Sequence, residues 1–413
     1  MAATALRKDR NFLLFWVLQT VSVAGDSLTT LAVPVLVLQH TGSVFQMGLV
    51  TATIGVAWLV SGVLSGSVVD RLDRRTVMIA CDVARAALYA LVPLVWLAAP
   101  HVWVLYVAMP LGAAAGMLYQ VGYITAVPAL VDRAQITQAN GLLSASFAAA
   151  GVTGPAIAGA LFTVLDPAWV IGIDAVTFGL SAVAMSFVKL RPRVGSPAHE
   201  SPIRGFVTGV RFLWRQPVLR TLTLLLCGVI FLTYAMDDLL IYRLREDLGQ
   251  GGGAVGAVFA IGAAGTIVAG SVVAVLRRRL GFGACWIGAY ALTAVALAGA
   301  GSAPVVPVLA GLLAVVMFCQ GVAGTCSMSL RQEITPDHLL GRVTSAFWTI
   351  HYLPGPLGAP LVTFAASRFG VPAVTLVLAL GLGVIALVAA FSPLRARDFA
   401  ALELDRPAHG EAL

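Results

Sequence analysis

Charged side chains are scarce in this chain. Asp, Glu, Lys and Arg make up 11% of its 413 residues, where a soluble domain carries about 25%. That shortage excludes an ordinary water-soluble globule of this length. Lysine is almost missing: of the 26 basic residues only Lys8 and Lys189 are not arginine, a bias associated with GC-rich bacterial genomes. No GxxxxGK[ST] loop is present to cradle a nucleotide's phosphates, so an ATP-driven pump would have no engine here. There is no HExxH helix for zinc either. The five cysteines, Cys81, Cys227, Cys285, Cys319 and Cys326, include no CxxC pair and read as packing residues. No enzyme reading survives, and neither a cofactor nor a metal is expected.

What the chain has instead is long apolar runs. Hydrophobic residues make up 59% and the mean hydropathy is +0.92. Twelve stretches reach the roughly 20 residues a spanning helix needs: 12–38, 46–69, 76–98, 102–127, 141–165, 168–188, 218–242, 254–276, 282–300, 304–330, 342–366 and 371–391. They are continuous rather than alternating, and lipid tolerates no open sheet edge, so strands are excluded. The expected fold is all-α: a polytopic membrane protein with twelve transmembrane helices in two six-helix halves. The first run is too long for a signal peptide and contains Asp26, so it reads as a retained helix.

Basic residues orient the bundle. With both termini in the cytoplasm, only Arg243, Arg245 and Arg368 fall outside, and Arg85 lies within the third span. All the other basic residues, Arg331 and Arg342 included, read as inner anchors, which is the positive-inside rule. The rule also accounts for the +7 net charge, so no nucleic-acid partner is needed. The expected division is 1–188 for the N-terminal half, 189–217 for a cytoplasmic linker, 218–391 for the C-terminal half and 392–413 for a cytoplasmic tail. The linker carries an amphipathic segment around Ile203 to Trp214, which reads as lying on the inner membrane surface.

The two halves echo each other. Residues 66–75 read GSVVDRLDRR and residues 270–279 read GSVVAVLRRR, at an offset of 204 that also relates Ala80-Cys81 to Ala284-Cys285. Ser144-Ala145 and Gly154-Pro155 recur as Ser345-Ala346 and Gly355-Pro356 at an offset of 201. A duplicated membrane half with a basic loop at the same place in each copy is the plan of a secondary transporter. Proline inside a spanning helix frees a carbonyl, and small residues let a neighbour approach closely.

On these residues the chain resembles the major facilitator superfamily along nearly its whole length. The loop after the second span is similar to that family's GxxxDRxGRR motif, here Gly66, Asp70, Arg71, Arg74 and Arg75, with Asp73 where glycine is usual. The fifth span resembles the antiporter motif GxxxGPxxGG, here Ala150, Gly154, Pro155, Ala158 and Gly159, with two glycines replaced by alanine. The opening FLLFWVLQTVSVAGDSLTTLAVPVLVL resembles the branch of macrolide-efflux proteins and the enterobactin exporter. The arginine that many drug:proton antiporters carry in the fourth span has no counterpart in 102–127. The resemblance implies that Asp70 latches onto the start of the eleventh span near Gly341 and Arg342. The echo position holds Ala274, so such a latch is one-sided.

Asp26 is the leading site candidate. It lies about 22 Å along the first span at 1.5 Å per residue, where a carboxylate is costly unless paired, protonated or facing water. Gln19, Ser22, Asp26 and Thr29 or Thr30 form one polar stripe, expected to face a cavity. Burial favours the neutral form of a carboxylate, which suits proton exchange. Asp26 also matches the first-helix acid of the resembled exporters. Asp237 and Asp238 sit in the seventh span, the counterpart of the first; they either share the coupling role or balance Arg243 and Arg245. Asp82 and Arg85, three apart on the third span, are expected to neutralise each other. Asp174 reads as a capping or interfacial residue, and His351 as a hydrogen-bonded structural histidine. Tyr119 with Tyr123, Trp348 with Tyr352, and Gln320 with Gly324 and Ser327 form faces at helical spacing. Some of these are expected to line the substrate cavity with Gln19, Ser22 and His351.

Three functional classes follow. The first is a proton-coupled exporter of an amphiphilic compound such as a drug, antibiotic or siderophore. The second is an uncoupled facilitator or lysolipid flippase. The third is a receptor or assembly protein that uses the fold without transport, against which the intact Asp70 loop argues. The expected partners are a small-molecule substrate, protons and the lipid bilayer, with the chain a monomer in a bacterial inner membrane. The topology is directly testable. A reporter fused after Leu248 should read outside, and reporters at Ser196 or after Asp405 should read inside; an external Ser196 would overturn the twelve-span arrangement and its charge argument together.

Overall fold

The computed structural model describes residues 9–132, 135–190, 202–336 and 339–397, without the side chains of 63–71, 124, 125, 137, 202 and 203. Among these residues the regular structure is helical and contains no strand. The helices are α1 (Arg10–Thr41), α2 (Val44–Arg71), α3 (Arg74–Ala98), α4 (Trp103–Leu130), α5 (Ile136–Leu161), α6 (Pro167–Met185), α7 (Pro202–Arg215), α8 (Pro217–Thr233), α9 (Met236–Tyr242), α10 (Gly252–Ser302), α11 (Val306–Ile334), α12 (Leu340–Tyr352), α13 (Gly355–Phe369) and α14 (Val371–Ala390).

Every predicted span is found, yet among the described residues ten helical stretches are long and apolar enough to cross a membrane, with α8, α9 and 243–247 counting as one. Two local events explain the difference. The eighth and ninth spans run together as α10, broken at Gly281, whose φ of 84° and ψ of 173° are not helical. Glycine is needed there because that φ strains any L side chain. A Cβ would also lie 2.3 Å from the Arg397 Cγ. The eleventh span is divided between α12 and α13. Pro354 has no N–H to give the Ile350 carbonyl four residues back, and that carbonyl accepts from Cys227 Sγ at 3.3 Å instead.

The helix starts follow from local chemistry. Asp9 accepts from the backbone N–H of Asn11 at 2.9 Å and Phe12 at 3.2 Å, capping α1. Asp73, which stands where the resembled motif has glycine, accepts from the Thr76 N–H at 3.0 Å and caps α3. Asp166 caps α6 through the Ala168 N–H at 2.8 Å, with Pro167 at the first helical position. Arg75 of the basic loop donates to the carbonyls of Met185, at 3.2 Å, and Ser186, where α6 ends. The latch assigned to Gly66, Asp70 and Arg71 falls on side chains outside the described residues.

The chain packs as two compact units. The first comprises 1–199, 235–260 and 359–368, so α1 to α6 are joined by α9, the start of α10 and most of α13. Small residues make this packing possible. A Cβ on Gly256 would lie 2.3 Å from the Gly159 Cα, and one on Gly48 would lie 2.0 Å from the Thr363 hydroxyl. Phe45 meets Phe364 edge-on at 5.6 Å. At the other end of the bundle, the Asn11 side chain donates to the Lys189 carbonyl at 2.6 Å and accepts from its N–H at 2.9 Å.

The second unit comprises 200–234, 261–358 and 369–413. Its amphipathic helix α7, expected around 203–214, lies against the start of α12, where Gly209 touches the Arg342 backbone. A Cβ at Gly209 would lie 2.2 Å from the Arg342 carbonyl oxygen, whereas one at Gly179 in α6 meets nothing within 4 Å. Gly209→Ala should therefore cost about 1–3 kcal/mol and lower the Tm of the detergent-solubilised protein. Gly179→Ala should leave it unchanged; equal Tm values for the two variants would refute the close α7–α12 contact.

Candidate functional site

Three helices of the first unit bring their polar side chains to one place. Asp26 and Thr29 come from α1, Asp82, Arg85 and Tyr89 from α3, and Asp174, Thr177, Phe178 and Ser181 from α6. Each set is spaced three or four residues apart, so each lies on one helix face. Arg85 pairs with Asp26 through its Nη2 and the carboxylate Oδ1. The flat face of its guanidinium lies 3.7 Å from the centre of the Phe178 ring, and Tyr89 packs edge-on against Phe178 at 5.6 Å. The pair is lopsided. Arg85 is almost fully buried, whereas 41% of the Asp26 side chain is exposed.

The other two carboxylates are buried completely. Asp174 accepts from the Thr29 hydroxyl at 2.5 Å and from the Thr177 hydroxyl at 3.0 Å. Asp82 accepts from Ser181 at 2.6 Å through one oxygen, and its other oxygen has no hydrogen-bond partner among the described residues. Glycines make the room. A Cβ on Gly25 would lie 2.2 Å from the Asp174 Oδ1, and one on Gly112 would lie 2.4 Å from the Tyr89 ring. Three carboxylates thus surround one guanidinium in an otherwise apolar bundle.

This arrangement corrects two expectations. Arg85 reaches across to Asp26 on another helix instead of pairing with Asp82 on its own, whose hydrogen bond comes from Ser181. Asp174 is no cap or interfacial residue; Asp166 caps α6, and Asp174 lies inside the bundle. The missed signal was the face 174–177–181 of the sixth span, which repeats the polar spacing of the first.

The remaining candidates fall into separate places. On α1, Gln19 and Ser22 are buried, and Gln19 accepts from the Tyr119 hydroxyl at 2.9 Å. The polar stripe therefore faces α4 and α6, and Asp26 is its half-exposed member. Tyr123 is buried in the same core and stacks on Phe15 at 5.9 Å. Gly154 and Pro155 lie in α5 next to Gly159. Asp238 is buried and accepts from Thr51 of α2 at 2.8 Å, while its neighbour Asp237 is exposed. Arg243 pairs with Asp247 at 2.8 Å.

In the second unit, Trp348 and Tyr352 stack at 5.5 Å, and buried His351 stacks on Phe347 at 5.4 Å. Gln320 is half-buried on α11, and Ser327 accepts from the Trp286 indole N–H at 3.0 Å. The charge pattern makes Arg331 a basic anchor just beyond the tenth span, and the structure corrects this. Arg331 belongs to α11 and is buried. Charge counting places arginines at membrane edges and carries no signal for one whose side chain turns inward.

Residues 15–359 match the family described as Major Facilitator Superfamily. The chain belongs to that superfamily. It is 31% identical over 388 residues to the multidrug efflux pump Tap of Mycolicibacterium fortuitum, covering 91% of this chain and 94% of that protein. It is 26% identical over 385 residues to the enterobactin exporter EntS of Escherichia coli O1:K1, covering 85% of this chain and 86% of that one. The structure of the nucleoside transporter NupG superposes with a TM-score of 0.73 at 14% identity, covering 92% of this chain and 98% of NupG; at that identity the likeness speaks for the fold alone. The protein is thus a multi-pass transporter of a bacterial efflux family and not an enzyme, and the branch resemblance of its opening run holds in these relatives.

The cluster's energetics can be measured. Arg85→Met removes the one cation facing three acids. Breaking a fully buried pair costs about 3–5 kcal/mol, and the half-exposed Asp26 carboxylate brings the cost below that range. The double variant Asp26→Asn/Arg85→Met should regain part of the lost Tm. A double variant less stable than Arg85→Met alone would show that the pair does not hold α1 to α3.

Proposed function

We propose that this transporter exports an amphiphilic small molecule by alternating access, in exchange for protons taken up at Asp26. The observation that carries this reading is the Asp26–Arg85 pair within a cluster of three acids and one base. A single arginine can offset one carboxylate, and an apolar interior disfavours further charge. Protonation of the half-exposed Asp26 breaks its pair and releases Arg85 toward Asp82 or Asp174. That change moves side chains on α1, α3 and α6 together, which is how one proton biases a two-state element. Arg85 would then do the work of the arginine absent from the fourth helix. Export as the direction is supported by the names of the relatives, a multidrug efflux pump and an enterobactin exporter. Both termini are assigned to the cytoplasm by the charge bias.

The test starts from a panel of antibiotics, dyes and catecholates, screened for export protection in cells. A protected compound is then followed in proteoliposomes with a pH-sensitive dye inside. The native protein should move protons against the compound. Asp26→Asn should stay folded, lose uphill transport and keep downhill exchange. Normal proton-driven export by that variant would move coupling to another acid, with Asp238 next. Transport without proton movement in the native protein would favour the uncoupled reading.

A further inference from the structure

Arg331 is a buried guanidinium with two N–H-bearing nitrogens unanswered among the described residues. It is 2% exposed. Its Nε and Nη1 have no hydrogen-bond partner among the described residues, and Nη2 meets only the Met328 sulfur at 3.0 Å, a weak acceptor. Its flat face is well served: the guanidinium carbon lies 3.7 Å from the Phe347 ring centre and 4.9 Å from that of Trp348. Ring stacking satisfies the face of a guanidinium and leaves its in-plane N–H groups unanswered.

No acid among the described residues of its own unit answers them. Among the described residues of that unit the single carboxylate is Glu333, which pairs with Arg277 at 2.6 Å. Glu333 is also two residues along the helix from Arg331, so it points to another face. A second polar atom in the same cluster is unanswered as well: His351 Nδ1, buried beside Phe347 and Trp348. The first half has no such cluster at the equivalent positions. At an offset of 201 or 204 the counterpart of Arg331 is Leu130 or Val127, both buried and apolar. The counterparts of Phe347, Trp348, His351 and Tyr352 at 201 are Ser146, Phe147, Ala150 and Gly151. On one side the cluster is open: Trp348 is 38% exposed, and Tyr352, stacked on it, is half-buried.

We propose that Arg331, Trp348 and Tyr352 form a substrate subsite for an aromatic acid, in which a carboxylate or similar anion meets the Arg331 N–H edge and the attached ring lies on the Trp348–Tyr352 stack. Guanidinium and carboxylate match as a two-pronged pair, and the match is strongest where water is excluded. The proposal rests on the reading of this chain as an exporter of amphiphilic molecules and names a chemical class for them.

The test is equilibrium binding to the purified full chain in nanodiscs, using 2-naphthoate and its uncharged analogue 2-naphthamide as probes. The native protein should bind the acid about tenfold more tightly than the amide, as one charge-assisted contact implies. Arg331→Met should bind the two alike, and Arg331→Lys should keep part of the preference. Trp348→Ala should weaken both probes and keep the preference for the acid. Equal binding of acid and amide to the native protein, or an undiminished preference in Arg331→Met, overturns the proposal. If Arg331→Met does not fold, the rise in Tm of the native protein decides, and equal rises with acid and amide also overturn it. Proton movement is read separately, with the pH-sensitive dye in proteoliposomes, so proton coupling and anion recognition fail or stand separately.

Discussion

In hydrocarbon a charge must find its counter-charge within the same protein, and most of what distinguishes this chain follows from that constraint. Asp26 and Arg85 meet across α1 and α3 because the buried guanidinium of Arg85 needs a counter-charge where it sits. The pair then organises its surroundings. Phe178 lies flat against the guanidinium, Tyr89 packs on Phe178, and the hydroxyls of Thr29, Thr177 and Ser181 serve the two acids left over. Three helices are held by side chains that would be interchangeable on a water-exposed surface. The same constraint acts on the backbone, where the carbonyl freed by Pro354 takes a hydrogen bond from Cys227.

Close approach is the second theme, and it depends on missing side chains. Gly25 lets Asp174 lie against α1, Gly159 and Gly256 let α5 and α10 touch by their backbones, and Gly48 receives Thr363. Without a hydrophobic drive between helices in lipid, association rests on such packing and on hydrogen bonds between helices. The glycines retained in the antiporter-type segment, Gly154 and Gly159, are at close contacts: a Cβ on Gly154 would lie 2.3 Å from the Ser27 Cβ. Ala150 and Ala158, where the motif has glycine, are buried.

The duplicated halves have diverged in chemistry while keeping their helices. The first collects three acids around one arginine. The second places an arginine among aromatic rings, with no acid among the described residues of its unit left to serve it. One arrangement suits a proton and the other an anionic ligand.

The composition and the spacing of charges by themselves determined the solvent, the twelve helices, the repeat and the family. These depend on long runs and on averages, which survive any local detail: an apolar run of the right length must be helical in lipid. Asp26 stands out in the sequence for the same reason, since a carboxylate at that depth needs an explanation wherever it points. Only the tertiary structure decided which groups answer one another. Arg85 is three residues from Asp82 in sequence yet pairs with Asp26, fifty-nine residues away. Asp174 reads as a helix-end residue until α6 turns its face inward. Arg331 counts as an anchor until α11 carries its side chain into a cage of rings. Partner choice is set by where helix faces point after packing, and a single chain's pattern fixes the faces but not which neighbours they meet.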